Sequence, residues 1–134
     1  MGNETLPNQF IFSEKMDAEA LYNLYAGDYL YVEEIFATTL EHFDGDFGSI
    51  QLAYENGNTE ELRKAVHKIK PTFGYVGLTA LQDECKQFEN ACAGAQSIQE
   101  ISKTYIPIKN ALLEAKDLIQ KEYDRLKAFN ASQL

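Results

Sequence analysis

The chain has 134 residues, with 21 Asp and Glu against 12 Lys and Arg for a formal charge of -9, and 45% of it is hydrophobic. One domain with a real core fits that length, and the composition excludes a disordered chain. The negative charge repels phosphate backbones and anionic headgroups, which excludes a general nucleic-acid or membrane-surface binder. No basic region followed by a long apolar stretch opens the sequence, and no run approaches the ~18 apolar residues of a membrane span. A cytoplasmic protein without membrane insertion is expected.

In chain order, residues 1-12 read as a flexible segment and residues 13-130 as one helical domain. Asp17 is placed to cap a short first helix through about Tyr25, closed by Gly27, and Asp28 to cap a second. Along the second helix Val32, Phe36, Thr39 or Leu40, Phe43, Phe47, Ile50 and Tyr54 recur at spacings of three and four. Their phase passes unbroken through Gly45 and Gly48, so one long helix is predicted, ending at Asn56-Gly57-Asn58.

The third helix starts at Asn58 or Thr59, with Glu61 placed for a capping box, and buries Leu62, Val66, Ile69 and Phe73. Pro71 has no N–H for the carbonyl of His67, so a bend or loosening is expected just after the histidine. Gly74 and Gly77 bring this helix to an end. A fourth opens on a Thr79-x-x-Gln82 capping box, buries Leu78, Leu81, Cys85, Phe88 and Cys92, and stops at Gly94. A long last helix opens on Ser97-x-x-Glu100, with Ile98, Ile101, Tyr105, Ile108, Leu112, Ala115, Ile119, Tyr123 and Leu126 as its stripe and Pro107 as a kink or second start. The fold class is therefore all-α, an antiparallel up-down four-helix bundle with the additional short N-terminal helix as a lid. Cys85 and Cys92 would stand about 10 Å apart along one helix, too far for a disulfide, and read as core thiols.

Charge is unevenly placed: residues 1-58 hold 11 acids and one base, and residues 59-134 hold 10 acids and 11 bases. Within the second part, RKAVHKIK carries Arg63, Lys64, Lys68 and Lys70 around His67 with no acid among them. At ~100° per residue His67 falls off the Val66, Ile69 and Phe73 stripe and level with Arg63, Lys70 and Gly74, which turns it to solvent. Flanking cations disfavour the protonated imidazole and so favour a neutral, nucleophilic ring. They would also stabilise the oxygens of a phosphoryl group in transfer. Gly74 and Gly77 would leave room for a phosphate or another protein to approach. His42, after Glu41 in the middle of the long helix, has no such setting and reads as structural, and an exposed Tyr75 would line an apolar docking patch.

The segment His67-Lys68-Ile69-Lys70-Pro71-Thr72-Phe73-Gly74-Tyr75-Val76-Gly77-Leu78 resembles the signature of histidine-containing phosphotransfer (HPt) domains of multistep phosphorelays. It departs from that pattern at Pro71, where the family usually has glycine. The resemblance implies a four-helix bundle whose third helix presents His67 as phosphoacceptor, with Lys70 neutralising the phosphoryl group and Gly77 keeping the approach open. It also implies a polar residue on the following helix near the imidazole, here matched by Glu89 with Gln87 nearby. The implied reaction moves a phosphoryl group from a receiver-domain aspartyl phosphate to His67 and on to a second receiver. Partners would be response-regulator receiver domains and a hybrid sensor histidine kinase, with Mg²⁺ in the receiver and no metal, nucleotide or other cofactor in this chain.

No phosphate-binding or kinase Gly-rich loop is present, which leaves a carrier without ATP-dependent kinase activity. Arg63, Lys64 and Lys68 are either a solvated helix face or a docking surface for an acidic receiver. Two other classes compete: a non-catalytic helical adaptor or inhibitory domain, against which the retention of His67 and Lys70 argues, and a metal-binding bundle. The latter wants Glu-x-x-His pairs, but Thr39 and Lys64 stand three residues before the two histidines. A monomer is expected, and Met1 leans toward a free-standing protein.

Overall fold

The computed structural model describes residues 9-134, so the first eight residues of the N-terminal stretch expected to be flexible lie outside the described residues. Five α-helices follow one another: α1 (Ala18–Tyr25), α2 (Tyr29–Glu55), α3 (Thr59–Tyr75), α4 (Thr79–Gly94) and α5 (Ser102–Ser132), with a 3-10 turn at Ile98–Ile101 before the last. No strand occurs among the described residues. α2 packs on α3 and α5, and α4 on α3 and α5, so the four long helices close a ring with α3 diagonal to α5 and α1 laid across one end.

Why these residues form these helices is mostly visible locally. Asp17 accepts from the Ala20 N–H, Asp28 from Tyr31 and Asn58 from Glu61, each satisfying a first-turn donor that the helix leaves unpaired. α2 ends as the Gly57 N–H bonds the Tyr54 carbonyl and the Asn58 N–H bonds that of Ala53, with Gly57 at φ +69°. The core stripe of α2 is Val32, Phe36, Thr39, Phe43, Phe47, Ile50 and Ala53, as the periodicity predicts except that Ala53 replaces Tyr54. Tyr54 instead stacks on Tyr105 with ring centroids 3.7 Å apart. Both cysteines are free thiols in the core.

Both helices that carry a proline are continuous, and two expected caps are corrected. α3 runs through Pro71 to Tyr75 without interruption, and the proline lies on the exposed face, where an unpaired carbonyl can meet water. Pro107 likewise sits inside an unbroken α5. Neither expected capping box at α4 or α5 forms. Leu78 is the residue before α4 and makes no side-chain cap, the Thr79 hydroxyl donates to Asp17 at 3.4 Å, and Glu100 accepts from the Gln96 N–H rather than completing a box with Ser97.

Phe10 and Phe12, placed in the flexible segment by sequence, are packed. Phe10 is buried and meets Phe12, Tyr29 and Phe129 edge to face, a compact aromatic group of the kind that adds to area burial. The segment is tied to α5 through Glu122, which accepts the Ser13 N–H at 2.5 Å and pairs with Arg125; the Arg125 guanidinium also donates to the Ile11 carbonyl and lies 4.8 Å over the Phe10 ring. This is why Glu122 rather than Tyr123 occupies the buried stripe of α5.

Candidate functional site

The site starts from the phase of α3. Because Leu62, Val66, Ile69 and Phe73 fill the core, His67 projects outward, and its side chain is 64% exposed. Its Nδ1 lies 2.6 Å from Oε1 of Glu89, one of the few carboxylates the fold buries, at 8% side-chain exposure. The Lys70 ammonium stands 2.5 Å from the other oxygen, an ion-pair contact without the alignment of a hydrogen bond. Burial pushes the Glu89 carboxyl pKa up, but the contacts with Lys70 and His67 outweigh it and hold the group below the usual carboxylate range.

An ionised carboxylate only accepts, so the proton between Glu89 and His67 belongs to Nδ1. In the neutral ring Nε2 then carries the lone pair, on a side chain that is mostly exposed. The nearest charge to the imidazole is consequently an anion, not the cations that the sequence places around it.

Those cations are otherwise engaged. Arg63 pairs with Glu60 at 2.6 Å, Lys64 with Glu61 at 3.6 Å and Lys68 with Asp46 of α2 at 3.3 Å. The basic window is therefore a row of ion pairs, and exposed pairs of this kind contribute little to stability.

The two glycines also differ from expectation. A Cβ on Gly74 would come within 2.7 Å of the Gln82 amide, so the space beside it is taken by α4 rather than left for a partner. Gly77 is buried at φ +77°: its N–H bonds the Gly74 carbonyl while the Leu78 N–H bonds that of Phe73, the glycine-dependent closure of a helix C-terminus. A Cβ there would meet Leu21 of α1 at 2.8 Å, and the Gly77 carbonyl accepts the Asp17 N–H at 2.7 Å. Gly77 seats α1; it does not keep the approach to His67 open.

On the α2 side of α3, Tyr75 is 54% exposed and lines an apolar cleft with Ile35, Phe43 and Ile69; His42, expected to be structural, is exposed at its edge. On the α4 side, Lys70, Thr79, Gln82, Asp83 and Lys86 line a cavity of about 310 Å³. Lys86 was not singled out by sequence, although its place one turn before Glu89 was there to be read. Among the described residues no group of three or more His, Cys, Asp or Glu is placed to hold a metal ion, and no helix is long and apolar enough to cross a membrane.

Comparison with models of known families matches residues 34–129 to the Hpt domain, a stretch of more than half the chain that contains His67, Lys70 and Glu89. The chain belongs to the Hpt family. Hpt domains are phosphocarriers of phosphorelays and interact there with receiver domains and histidine kinases. A solved Hpt domain, from a hybrid histidine kinase of Shewanella, superposes with a TM-score of 0.60 at 18% identity, over 90% of this chain and 96% of that one. That likeness extends the shared bundle beyond the segment matched by sequence. Among curated proteins nothing matches significantly. The Hpt match leaves out α1 and the packed N-terminal segment, so the docking of α1 on Gly77 joins the middle of the matched region to an element outside it.

Proposed function

We propose that this Hpt domain is a phosphorelay intermediate in which His67 accepts a phosphoryl group from a receiver-domain aspartyl phosphate and passes it to the aspartate of a second receiver. The observation that carries this reading is the exposed imidazole whose Nδ1 is held by buried Glu89 at 2.6 Å. Nε2 attacks the phosphorus of the donor; the N–P bond forms as the acyl phosphate's P–O bond breaks, and its electron pair leaves with the donor's carboxylate. The ring takes up positive charge and shares it with Glu89 through the Nδ1 proton, so no proton has to move. Onward transfer reverses these steps. The chemistry depends on positioning and electrostatics, which suits a small bundle. Lys70 contributes a cation beside the incoming group, and Mg²⁺ belongs to the receiver in this scheme.

The test is incubation with a radiolabelled phosphoreceiver, followed by a search for acid-labile, base-stable label on the wild type and on His67→Gln. Label on the wild type alone is expected. Label reaching His67→Gln as well, or no label on the wild type across a panel of receivers, overturns the reading; the second result with retained binding to a receiver supports an adaptor.

A further inference from the structure

The composition around His67 promises more free positive charge than the fold delivers, since Arg63, Lys64, Lys68 and Lys70 each face a carboxylate. Transfer to Nε2 brings a phosphoryl dianion to the same ring that Glu89 holds from the other side. Glu89 is buried on α4, so it cannot turn away into solvent. Lys70, already paired with it, is shared between two anions. A carrier site so arranged calls for another cation.

Lys86 meets that need. It precedes Glu89 by one turn on the exposed side of α4 and takes part in no ion pair among the described residues. α3 and α4 run antiparallel, so one turn onward from His67 and one turn back from Glu89 lead to the same level, where Lys70 and Lys86 line one cavity. The acid in that cavity, Asp83, accepts the Gln87 amide at 2.8 Å on its own helix. The Gln82 amide, pressed against Gly74, lines the cavity's far end.

The geometry points to an anion-binding second half of the His67 site, in which Lys86, with Lys70, holds an oxyanion brought in during transfer. This inference rests on the phosphocarrier reading. Two sources share the chemistry: the oxygens of the phosphoryl group, or a carboxylate of the receiver's acidic pocket.

Two donors separate them. Phosphoramidate carries only the phosphoryl group: Nε2 forms the N–P bond as the donor's P–N bond breaks, and the electron pair leaves with ammonia. A phosphoreceiver carries both anions. Initial labelling rates are compared for wild type, Lys86→Ala, Lys86→Arg and the surface control Lys121→Ala, with helicity checked for each.

A loss of about tenfold in Lys86→Ala with both donors, restored by Lys86→Arg and absent in Lys121→Ala, assigns the oxyanion to the phosphoryl group. The same loss with the phosphoreceiver alone assigns it to the partner's carboxylate. Wild-type rates for Lys86→Ala with both donors overturn this inference and leave the carrier reading intact. No label on the wild type from either donor overturns both.

Discussion

Imidazole is nucleophilic through one nitrogen at a time, and in this molecule the choice falls to Glu89. Its contact with His67 fixes the tautomer, its contact with Lys70 keeps it ionised, and its burial keeps the carboxylate from turning elsewhere. Removing it should therefore alter the ring before it alters the fold. In Glu89→Ala the ¹⁵N spectrum of the neutral His67 ring should move from the Nδ1–H toward the Nε2–H form, and transfer should slow by about tenfold or more. Glu89→Gln, whose amide oxygen can still accept from Nδ1, should keep most of the Nδ1–H form and lose less rate. An unchanged tautomer in Glu89→Ala would remove Glu89 from this role. At this scale the sequence was only partly legible. The phase of α3 was enough to turn His67 outward, and Glu60 and Glu61 stand one turn before Arg63 and Lys64 on the same helix, but the pairing of Lys68 and Lys70 was not visible, because Asp46 and Glu89 reach them from other helices. Glu89 itself was found through the family resemblance, although its spacing of four from Cys85 and three from Cys92 sets it on the buried stripe of α4.

The helices were legible where their causes are local. Asp17, Asp28 and Asn58 cap within three residues of themselves, and the phase of α2 survives Gly45 and Gly48, beside which nothing packs. What escaped was tertiary. Thr79 looked like a cap but gives its hydroxyl to Asp17, and residues 10-12 looked loose because their partners, Arg125 and Phe129, lie more than a hundred residues away. Gly77 belongs to both kinds: its place after α3 marks a helix end, while its contact with Leu21 belongs to α1. Gly77→Ala tests the element. The positive φ costs a Cβ residue about 1–2 kcal/mol, and the overlap with Leu21 adds to it. A melting temperature lower by about 4 °C per kcal/mol should follow, with the transfer rate of the folded protein unchanged. A slowed rate at undiminished stability would instead return Gly77 to the reaction site.

The whole molecule's response to pH follows from which groups the bundle buries. On the acid side, Glu89 is held below its ordinary range, so the unfolded chain binds the proton first. Its contribution is full above the unfolded value of about 4.3 and is lost as pH falls through the folded one. On the alkaline side the sign reverses. Burial, reinforced by nearby Glu84 and Glu89, pushes the Cys85 thiol up to about 12, and burial with Glu89 pushes Cys92 up to about 11. The unfolded chain therefore releases these protons first, from about pH 8.5, and stability falls as pH rises toward the folded values, at up to about 1.4 kcal/mol per pH unit for each thiol. Tyr25, whose burial beside Tyr31 and Tyr75 takes it from 10 to about 12, joins only above its ordinary value. The interval from about pH 8.5 to 10 thus isolates the thiols. Replacing both cysteines by alanine should cost about 1 kcal/mol per sulfur at pH 7 through lost packing, yet flatten the decline across that interval. Self-repulsion of a chain already at -9 grows with pH in both proteins and cancels from the comparison. Urea unfolding at half-unit steps of pH measures the two slopes, and parallel slopes would mean that the thiols ionise inside the folded bundle.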